Sequence, residues 1–456
     1  MTDPKGARND LTEGTVWKKL IVFFLPIAAG TCIQQLYNAV DGLIVGRFVG
    51  TVALAAVGGS AANILNVLIG FFVAMTSGAA VVIAQIFGAG RREDVQKASG
   101  NALTVCAFAG IVIGAAGFLL CPQMLEALHT PAETMAGSVL YLRICFAAVP
   151  VVLLLNMESN MMRAVGNSVD PFVYMLVACV TNIVLDFVFV VFLHWGIAGV
   201  AAATVASQTL NLALLTVKLQ KPDSPYRISR SQLQPNGRYL SNMVRLGVPA
   251  GCQAAMYSVS NMIIQIGVNT MGTVVVASWA MTSKVDGIYW AVSNALGIAI
   301  TSFIAQNFGA GKTDRVKACV RQGLILAMAV SVFLALVIML LAKPFLGVMT
   351  KDPDVVRTTF EMMCYFVPFY FTWSLIEVFS AVLRGSGDAT VPVVIIGLGI
   401  CLFRVIWMAA VFVRFSTVFV LCLSYPVSWV ITGTALLIYY KRGRWMDRAQ
   451  RALLEK

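Results

Sequence analysis

Charged residues are scarce in this chain. They make up 12% of its 456 residues, whereas 59% of the residues are hydrophobic. A soluble domain usually has about a quarter charged residues and about half apolar ones. The composition therefore excludes an ordinary soluble domain and indicates a protein that lies in a membrane.

Histidine is also scarce, and the residues that bind metals or phosphates in enzymes form no recognisable pattern. The two histidines, His129 and His194, fall in predicted loops, and the ten cysteines include no CxxC pair or other metal spacing. The chain has no GxxxxGKS or GxxxxGKT phosphate loop. These absences argue against a membrane-embedded enzyme, against an ATP-driven pump and against a cofactor.

Long apolar runs are abundant. A helix that crosses a bilayer needs about 20 mostly apolar residues, and charged or Gly- and Pro-rich breaks separate twelve such runs. They cover residues 20–46, 53–79, 96–120, 137–162, 171–193, 197–219, 240–267, 273–300, 316–342, 358–383, 391–413 and 417–440. The first run is too long for a signal peptide and has no cleavage site after it, so we expect it to be retained.

Lys and Arg lie mostly on one side of the predicted membrane. The net charge is +12, with 33 basic and 21 acidic residues. The basic residues concentrate before the first span, after the even-numbered spans and after the last span, so the positive-inside rule makes both termini cytoplasmic. The basic character thus orients the chain in the inner membrane, and we expect no nucleic-acid partner.

Two sequence motifs occur twice at the same offset. "IAQIFGAGRREDVQKA" at 83–98 recurs as "IAQNFGAGKTDRVKAC" at 304–319, and "MRAVGNSVDP" at 162–171 recurs as "LRGSGDATVP" at 383–392, both 221 residues later. A shared offset indicates two repeats of six spans each, which run parallel because six is even. The Gly-Ala-Gly segments are interpreted as tight cytoplasmic turns.

This duplication predicts the domain organisation. We expect an amino-terminal lobe at 20–219 and a carboxyl-terminal lobe at 240–440, joined by a cytoplasmic linker at 220–239. A cytoplasmic segment at 1–19 precedes the first lobe, and a basic cytoplasmic tail at 441–456 follows the second.

The first, fifth and sixth spans carry polar residues at helical spacing. The residues are Gln34, Tyr37, Asn38 and Asp41 in the first span, Asn182 and Asp186 in the fifth, and Thr204, Ser207, Gln208 and Asn211 in the sixth. Spacings of three, four and seven place each set on one helical face. A purely structural role, in hydrogen bonds between helices, is the alternative. For Ser207, Gln208 and Asn211 this role and a functional one explain the pattern equally well.

Two acids in one half have few basic neighbours, and this favours a functional interpretation. Asp41 and Asp186 would resist being ionised together because desolvation and mutual repulsion both oppose it. Such a pair can load and release a proton, and Asn182 and Thr204 can donate hydrogen bonds to it. The same hard oxygen ligands suit Na⁺. The sequence leaves the choice of ion open.

Other polar residues within the spans are candidates for a helix bend, a gate or a substrate contact. Pro26 lies fifteen residues before Asp41 and removes a backbone hydrogen bond, so the first helix can bend there; a static kink is an equal alternative. The possible substrate or gate residues are Gln34, Asn38, Glu158, Tyr257, Asn261, Lys284 and Glu377.

The chain resembles the multidrug and toxic compound extrusion (MATE) transporters from about Trp17 to Tyr440. The likeness rests on the duplicated twelve spans, on "FGAG" and a basic residue after the second and eighth spans, and on Arg-x-x-Gly after the fourth and tenth. "YNAVDG", "TNIVLDF" and "GVAAAT" resemble the prokaryotic branch named for a DNA-damage-inducible protein.

The resemblance implies a V-shaped, two-lobed, all-helical membrane protein. It also implies an antiporter that exports organic, often cationic, drugs or metabolites in exchange for H⁺ or Na⁺. Its amino-lobe cation site falls on Asp41, Asn182, Asp186 and Thr204, with Tyr37 nearby and Pro26 at the bend. The seventh span lacks the acid of the family's carboxyl-lobe Na⁺ site, which puts a second ion site in doubt.

The expected partners are a small organic substrate and membrane lipids, with the chain acting as a monomer. Two other functions remain open at this point. A flippase for lipid-linked saccharides, of related fold, should line its cavity with several basic residues, whereas only Lys284 and Arg404 fall within the predicted spans. A passive channel would show no coupled counterflow.

Overall fold

Helices account for nearly all of the residues that the structure describes. The computed structural model describes residues 10–221, 227–234, 236–443 and 445–446, and no strand occurs among them. Most of the predicted tail at 441–456, and the first nine residues of the predicted segment 1–19, lie outside these residues.

Twelve helices follow one another along the described chain. They are α1 (Val16–Val49), α2 (Thr51–Gly88), α3 (Arg92–Ala127), α4 (Ala132–Ala147 and Val149–Ala164), α5 (Val169–Phe192), α6 (Gly196–Leu219), α7 (Gly237–Asn269), α8 (Thr273–Gly309), α9 (Thr313–Met349), α10 (Pro353–Ser386), α11 (Thr390–Phe412) and α12 (Val418–Lys441). We call α1–α6 the N half and α7–α12 the C half.

Ten of the helices are individually long and apolar enough to cross a membrane, and the two segments of α4, bent by 48°, form an eleventh span. The remaining helix, α7, has 33 residues and is therefore about 50 Å long. Its composition is less apolar because it carries a polar stripe. The predicted fold class, twelve membrane helices in two parallel repeats of six, is confirmed.

The two halves meet through α1 with α8 and α2 with α7, which are equivalent pairs, and through α2 with α8. The second pair approaches most closely where Gly78 faces Gly247. A Cβ atom on Gly78 would collide with the backbone of Gly247 and Leu246, which is not a contact that a side-chain rotation could relieve. Glycine at this crossing lets the two backbones touch.

A reciprocal pair of hydrogen bonds joins the halves at one end of the molecule. Gln85 Nε2 donates to the carbonyl of Gly385 at 2.9 Å, and Gln306 Nε2 donates to the carbonyl of Ala164 at 2.7 Å. Donors and acceptors are each separated by the repeat offset of 221 residues. We call this end, where the two Gly-Ala-Gly turns also lie, the closed face.

Two short segments at the closed face, one made of turns and one containing a 3-10 helix at Arg230–Leu233, cross from one half to the other. Before α1, Leu11 is fully buried against the C half, and its carbonyl accepts hydrogen bonds from Asn307 Nδ2 at 3.0 Å and Arg315 Nη2 at 3.1 Å. Before α7, residues 227–234 and 236 contact the N half, where Thr104 Oγ1 donates to the carbonyl of Leu233 at 2.7 Å. We call these segments the arms.

Candidate functional site

A central cavity of about 820 Å³ lies between the two halves. Helices of both halves line it: α1, α2, α4, α5 and α6 from the N half, and α7, α8, α10 and α11 from the C half. Pockets that bind drug-sized molecules have volumes of about 300–1,000 Å³. The cavity is therefore large enough for a small organic compound.

The C half gives the cavity an aromatic wall. Trp290 and Trp373 line it with their rings edge to face, 4.9 Å apart and at 88°. Tyr257 stands 6.2 Å from Trp373, and Trp373 Nε1 donates to Ser293 Oγ at 3.1 Å. Rings held in this way provide a rigid apolar surface for an aromatic ligand.

Of the described residues that line the cavity, three are charged: Arg163, Glu377 and Arg384. Both arginines lie beside the residues whose carbonyls accept the reciprocal glutamine bonds, so they mark the end of the cavity at the closed face. Glu377 Oε1 lies 3.8 Å from Arg384 Nη2. Arg163 forms no ion pair with any residue that the structure describes.

A second polar cluster lies outside the cavity lining, within the N half. Asp41 and Asp186 lie near each other, and Tyr37 is close enough to interact electrostatically with both. Asp186 is fully buried and Asn182 is 1% exposed. Thr204 Oγ1 donates to its own helix at the carbonyl of Val200, 3.1 Å away, which leaves its oxygen free to accept or to coordinate.

Local helix geometry changes immediately after both acids. The α-helical part of α5 ends at Asp186, and a π-helical turn follows at Phe187–Phe192. In α1 a π-helical turn at Val45–Val49 begins one turn after Asp41. Such turns loosen the regular backbone hydrogen-bond pattern, and they often occur at functional sites.

The buried cluster has unused hydrogen-bonding capacity. Both carboxyl oxygens of Asp186, both amide atoms of Asn182 and Oδ1 of Asp41 are buried without a hydrogen-bond partner among the described residues. Buried polar atoms usually have partners, and leaving one without a partner is costly. The oxygens of these residues fit a proton or a small hard cation such as Na⁺.

The other residues singled out from the sequence fall in three groups. The residues that line the cavity are Pro26, Gln34, Gln208, Asn211, Tyr257 and Glu377. Asn38, Asn261 and Lys284 are exposed outside it, and Glu158 is 4% exposed and accepts a hydrogen bond from Thr216 Oγ1 at 2.9 Å.

Arg163, Arg384, Gln85 and Gln306 are not among the site residues expected from the sequence. The basic residues within the predicted spans are Lys284 and Arg404, but neither lines the cavity. Arg404 is buried under Tyr425, with its guanidinium carbon 3.8 Å from the ring centre. The repeated motifs contained the missing signal, because Arg163 and Arg384 occupy equivalent positions in them.

Comparison with known proteins agrees with the duplicated architecture. A family model described as MatE matches residues 26–188 and again residues 249–411, once in each half. The probable multidrug resistance protein YoeA of Bacillus subtilis is 28% identical over 391 residues, which is 84% of each chain. The probable multidrug resistance protein YpnP of the same organism is 28% identical over 454 residues, 98% of this chain and 99% of its own.

A solved structure described as the outward-facing conformation of a multidrug resistance MATE family transporter has the same fold. Its TM-score is 0.89 with 19% identity, over the whole of both chains. Fold, cavity and repeats define a multi-pass membrane transporter, and not an enzyme. The chain belongs to the MatE family, the multidrug and toxic compound extrusion transporters.

Proposed function

We propose that this chain is a secondary active antiporter that exports an organic, often cationic, drug or metabolite in exchange for H⁺ or Na⁺. The observation that carries this proposal is the separation of two polar sites along α1. Pro26 and Gln34 line the central cavity, whereas Asp41 belongs to the buried carboxyl cluster. One helix therefore connects the proposed substrate site with the proposed ion site.

In this proposal Asp41, Asn182, Asp186 and Thr204 hold the coupling ion, and Tyr37 supports the carboxyl pair. Two ionised carboxylates at this depth repel each other and are poorly solvated. One proton or one Na⁺ relieves both penalties, so the cluster has different charge states when loaded and empty. Pro26 provides the point at which α1 can bend when the charge state of the cluster changes.

The energy available to such an exchanger is sufficient for export. One proton that enters down about 100 mV releases about 2.3 kcal/mol, and each pH unit adds about 1.4 kcal/mol. Exchange of one proton for one monovalent cation cancels the voltage contribution, so the pH or Na⁺ gradient alone would then drive export. Two ions per substrate would restore the voltage contribution.

Alternating access would open the halves at one face and then at the other. We propose that the closed face is cytoplasmic, as the distribution of basic residues predicts, and that both termini lie there in the inner membrane. The outer surfaces of the helices would then contact membrane lipids. A single chain lines the cavity from both halves, which favours a monomer as the transporting unit.

The two alternative functions are less well supported. A flippase for lipid-linked saccharides should offer several unpaired cations to pyrophosphate groups, but one of the two cavity arginines already faces Glu377 at 3.8 Å. A passive channel does not require a buried carboxyl pair beside its permeation path, because passive permeation needs no coupling ion.

Transport in proteoliposomes tests the proposal. Purified protein is reconstituted with a pH gradient or a Na⁺ gradient, and export of a fluorescent organic cation is followed. We expect Asp41→Asn and Asp186→Asn each to lower the gradient-driven rate at least tenfold. Asp286→Asn is the matched control, because Asp286 is an acid in α8 that accepts a hydrogen bond from Tyr370. Full gradient-driven transport in both mutants would exclude the coupling role.

A further inference from the structure

Arg163 is an unusual residue in the cavity wall. It lies near the end of α4 and lines the cavity, but it forms no ion pair within the described chain. Its contact with Asn160 Oδ1 is long, at 3.5 Å. Its Nε is buried and has no hydrogen-bond partner among the described residues. The guanidinium group therefore has unused donors beside an open space.

The equivalent arginine of the C half is neutralised. Arg384 lies 221 residues after Arg163 and faces Glu377 at 3.8 Å. The residue equivalent to Glu377 in the N half is Asn156, which also lines the cavity and whose Nδ2 donates to the carbonyl of Val152 at 2.8 Å. The repeat thus has an acid beside one arginine and a neutral amide beside the other.

The cavity consequently has an excess positive charge at its closed end. Its charged lining residues in the described chain are two arginines and one glutamate. A buried charge usually has a counter-charge, because its desolvation is costly. The described protein residues supply none to Arg163, so a ligand in the cavity is the available source.

We propose that Arg163 binds an oxyanion, chiefly a carboxylate, of the transported compound. A guanidinium presents a planar set of donors that matches the two oxygens of a carboxylate. The apolar body of the same compound would lie along Trp290 and Trp373, in the same cavity. This inference rests on the proposed export function. It adds that the aromatic substrates carry an anionic group, beside a cationic group where they have one.

Equilibrium binding tests the proposed subsite without any ion gradient. Purified protein in a maltoside detergent is titrated with dansylglycine and with its uncharged analogue dansylglycinamide, and dansyl fluorescence is measured. We expect the wild type to bind the carboxylate at least tenfold more tightly than the amide. This comparison needs no mutant, so equal affinities for the two probes in the wild type would overturn the proposal.

Variants then assign the preference to Arg163. We expect Arg163→Gln to weaken dansylglycine binding about tenfold and to leave dansylglycinamide unchanged, whereas Arg163→Lys retains part of the preference. Lys284→Gln is the control, because it removes one positive charge from an exposed residue outside the cavity, and it should keep the full preference. A preference that survives Arg163→Gln, or that is lost in Lys284→Gln, would overturn the assignment.

A phospholipid headgroup carries similar chemistry and is distinguished by a further titration. Phosphatidylglycerol is added to the detergent solution before dansylglycine. Unchanged binding of the carboxylate supports the substrate assignment. Loss of the carboxylate preference on lipid addition would assign Arg163 to a lipid phosphate instead. Because binding is measured without a gradient, these results do not depend on whether Asp41 and Asp186 couple transport to an ion.

Discussion

At the scale of single residues, the two carboxyl groups of the N half are a costly feature. A charged side chain at the centre of a membrane helix costs about 2.5–3.5 kcal/mol on insertion scales. Asp41 and Asp186 are adjacent on different helices, and the oxygens of Asp186 have no hydrogen-bond partner in the described chain. Because the two groups lie close together, we propose that one ion binds to both, and we expect them to behave as one unit.

A double variant of the two acids tests whether Asp41 and Asp186 act as one functional unit. We expect the double variant Asp41→Asn/Asp186→Asn to lose no more gradient-driven transport than the more severe of the two single variants, because either substitution alone removes the ion site. The measurement is the initial rate of substrate export from proteoliposomes under one fixed gradient. A double variant whose defect equals the product of the two single defects would show that the acids act independently.

The polar stripes in α1, α5 and α6 could be predicted from the sequence. The repeat marks Arg163 and Arg384 as equivalent residues, but it does not show that they face a cavity. Helical spacing identifies the face on which Asp41 or Asp186 lies, but not how far a helix extends beyond its apolar part. The fourth predicted span ended at residue 162 and the tenth at 383. The helices end at Ala164 and Ser386, and the extra residues carry Arg163 and Arg384 into the cavity wall.

At the scale of helices, the crossing of α2 and α7 depends on the absence of side chains. Gly78 lies within contact distance of the backbone of Gly247, and a Cβ atom of Gly247 would lie 2.5 Å from the carbonyl oxygen of Met75. The role of these glycines could not be predicted from the sequence, because glycine is common in membrane helices and its contacts depend on the partner helix.

Gly78→Ala tests this crossing. We expect it to destabilise the folded protein by about 1–3 kcal/mol, since the added methyl group has to push two backbones apart. Gly58→Ala in the same helix is the control: nothing lies within 4 Å of a Cβ atom there, and alanine is the better helix former by up to about 1 kcal/mol. Thermal unfolding in detergent is the measurement. Equal stability of both variants would contradict the close approach.

At the scale of the whole molecule, the repeat produces two equivalent hydrogen bonds between the halves at the closed face, which we propose as a gate. Gln85 and Gln306 are 3% and 0% exposed, and each donates to a backbone carbonyl of the opposite half. Neither bond survives if the halves separate at the closed face. The number of spans and the repeat could be predicted from the sequence, but the reciprocal contact could not, because it depends on how the two halves pack together.

Gln85→Ala and Gln306→Ala should each favour opening at the closed face. A hydrogen bond of this kind contributes about 1 kcal/mol, so we expect each variant to raise the open population several-fold. The measurement is the rate at which an impermeant maleimide labels Ser380→Cys, a cavity position, in inside-out vesicles. Labelling of the parent Ser380→Cys protein is the reference, and an unchanged rate in both variants would refute the gate.

The contacts of the two arms suggest how the duplicated architecture arose. Each arm precedes the first helix of one half and is held by the other half, through Leu11 in one case and Leu233 in the other. Two copies of a six-helix chain, each with its own arm, would make the same contacts around a twofold axis. The molecule therefore has the form of an arm-exchanged homodimer whose subunits have been fused into one polypeptide.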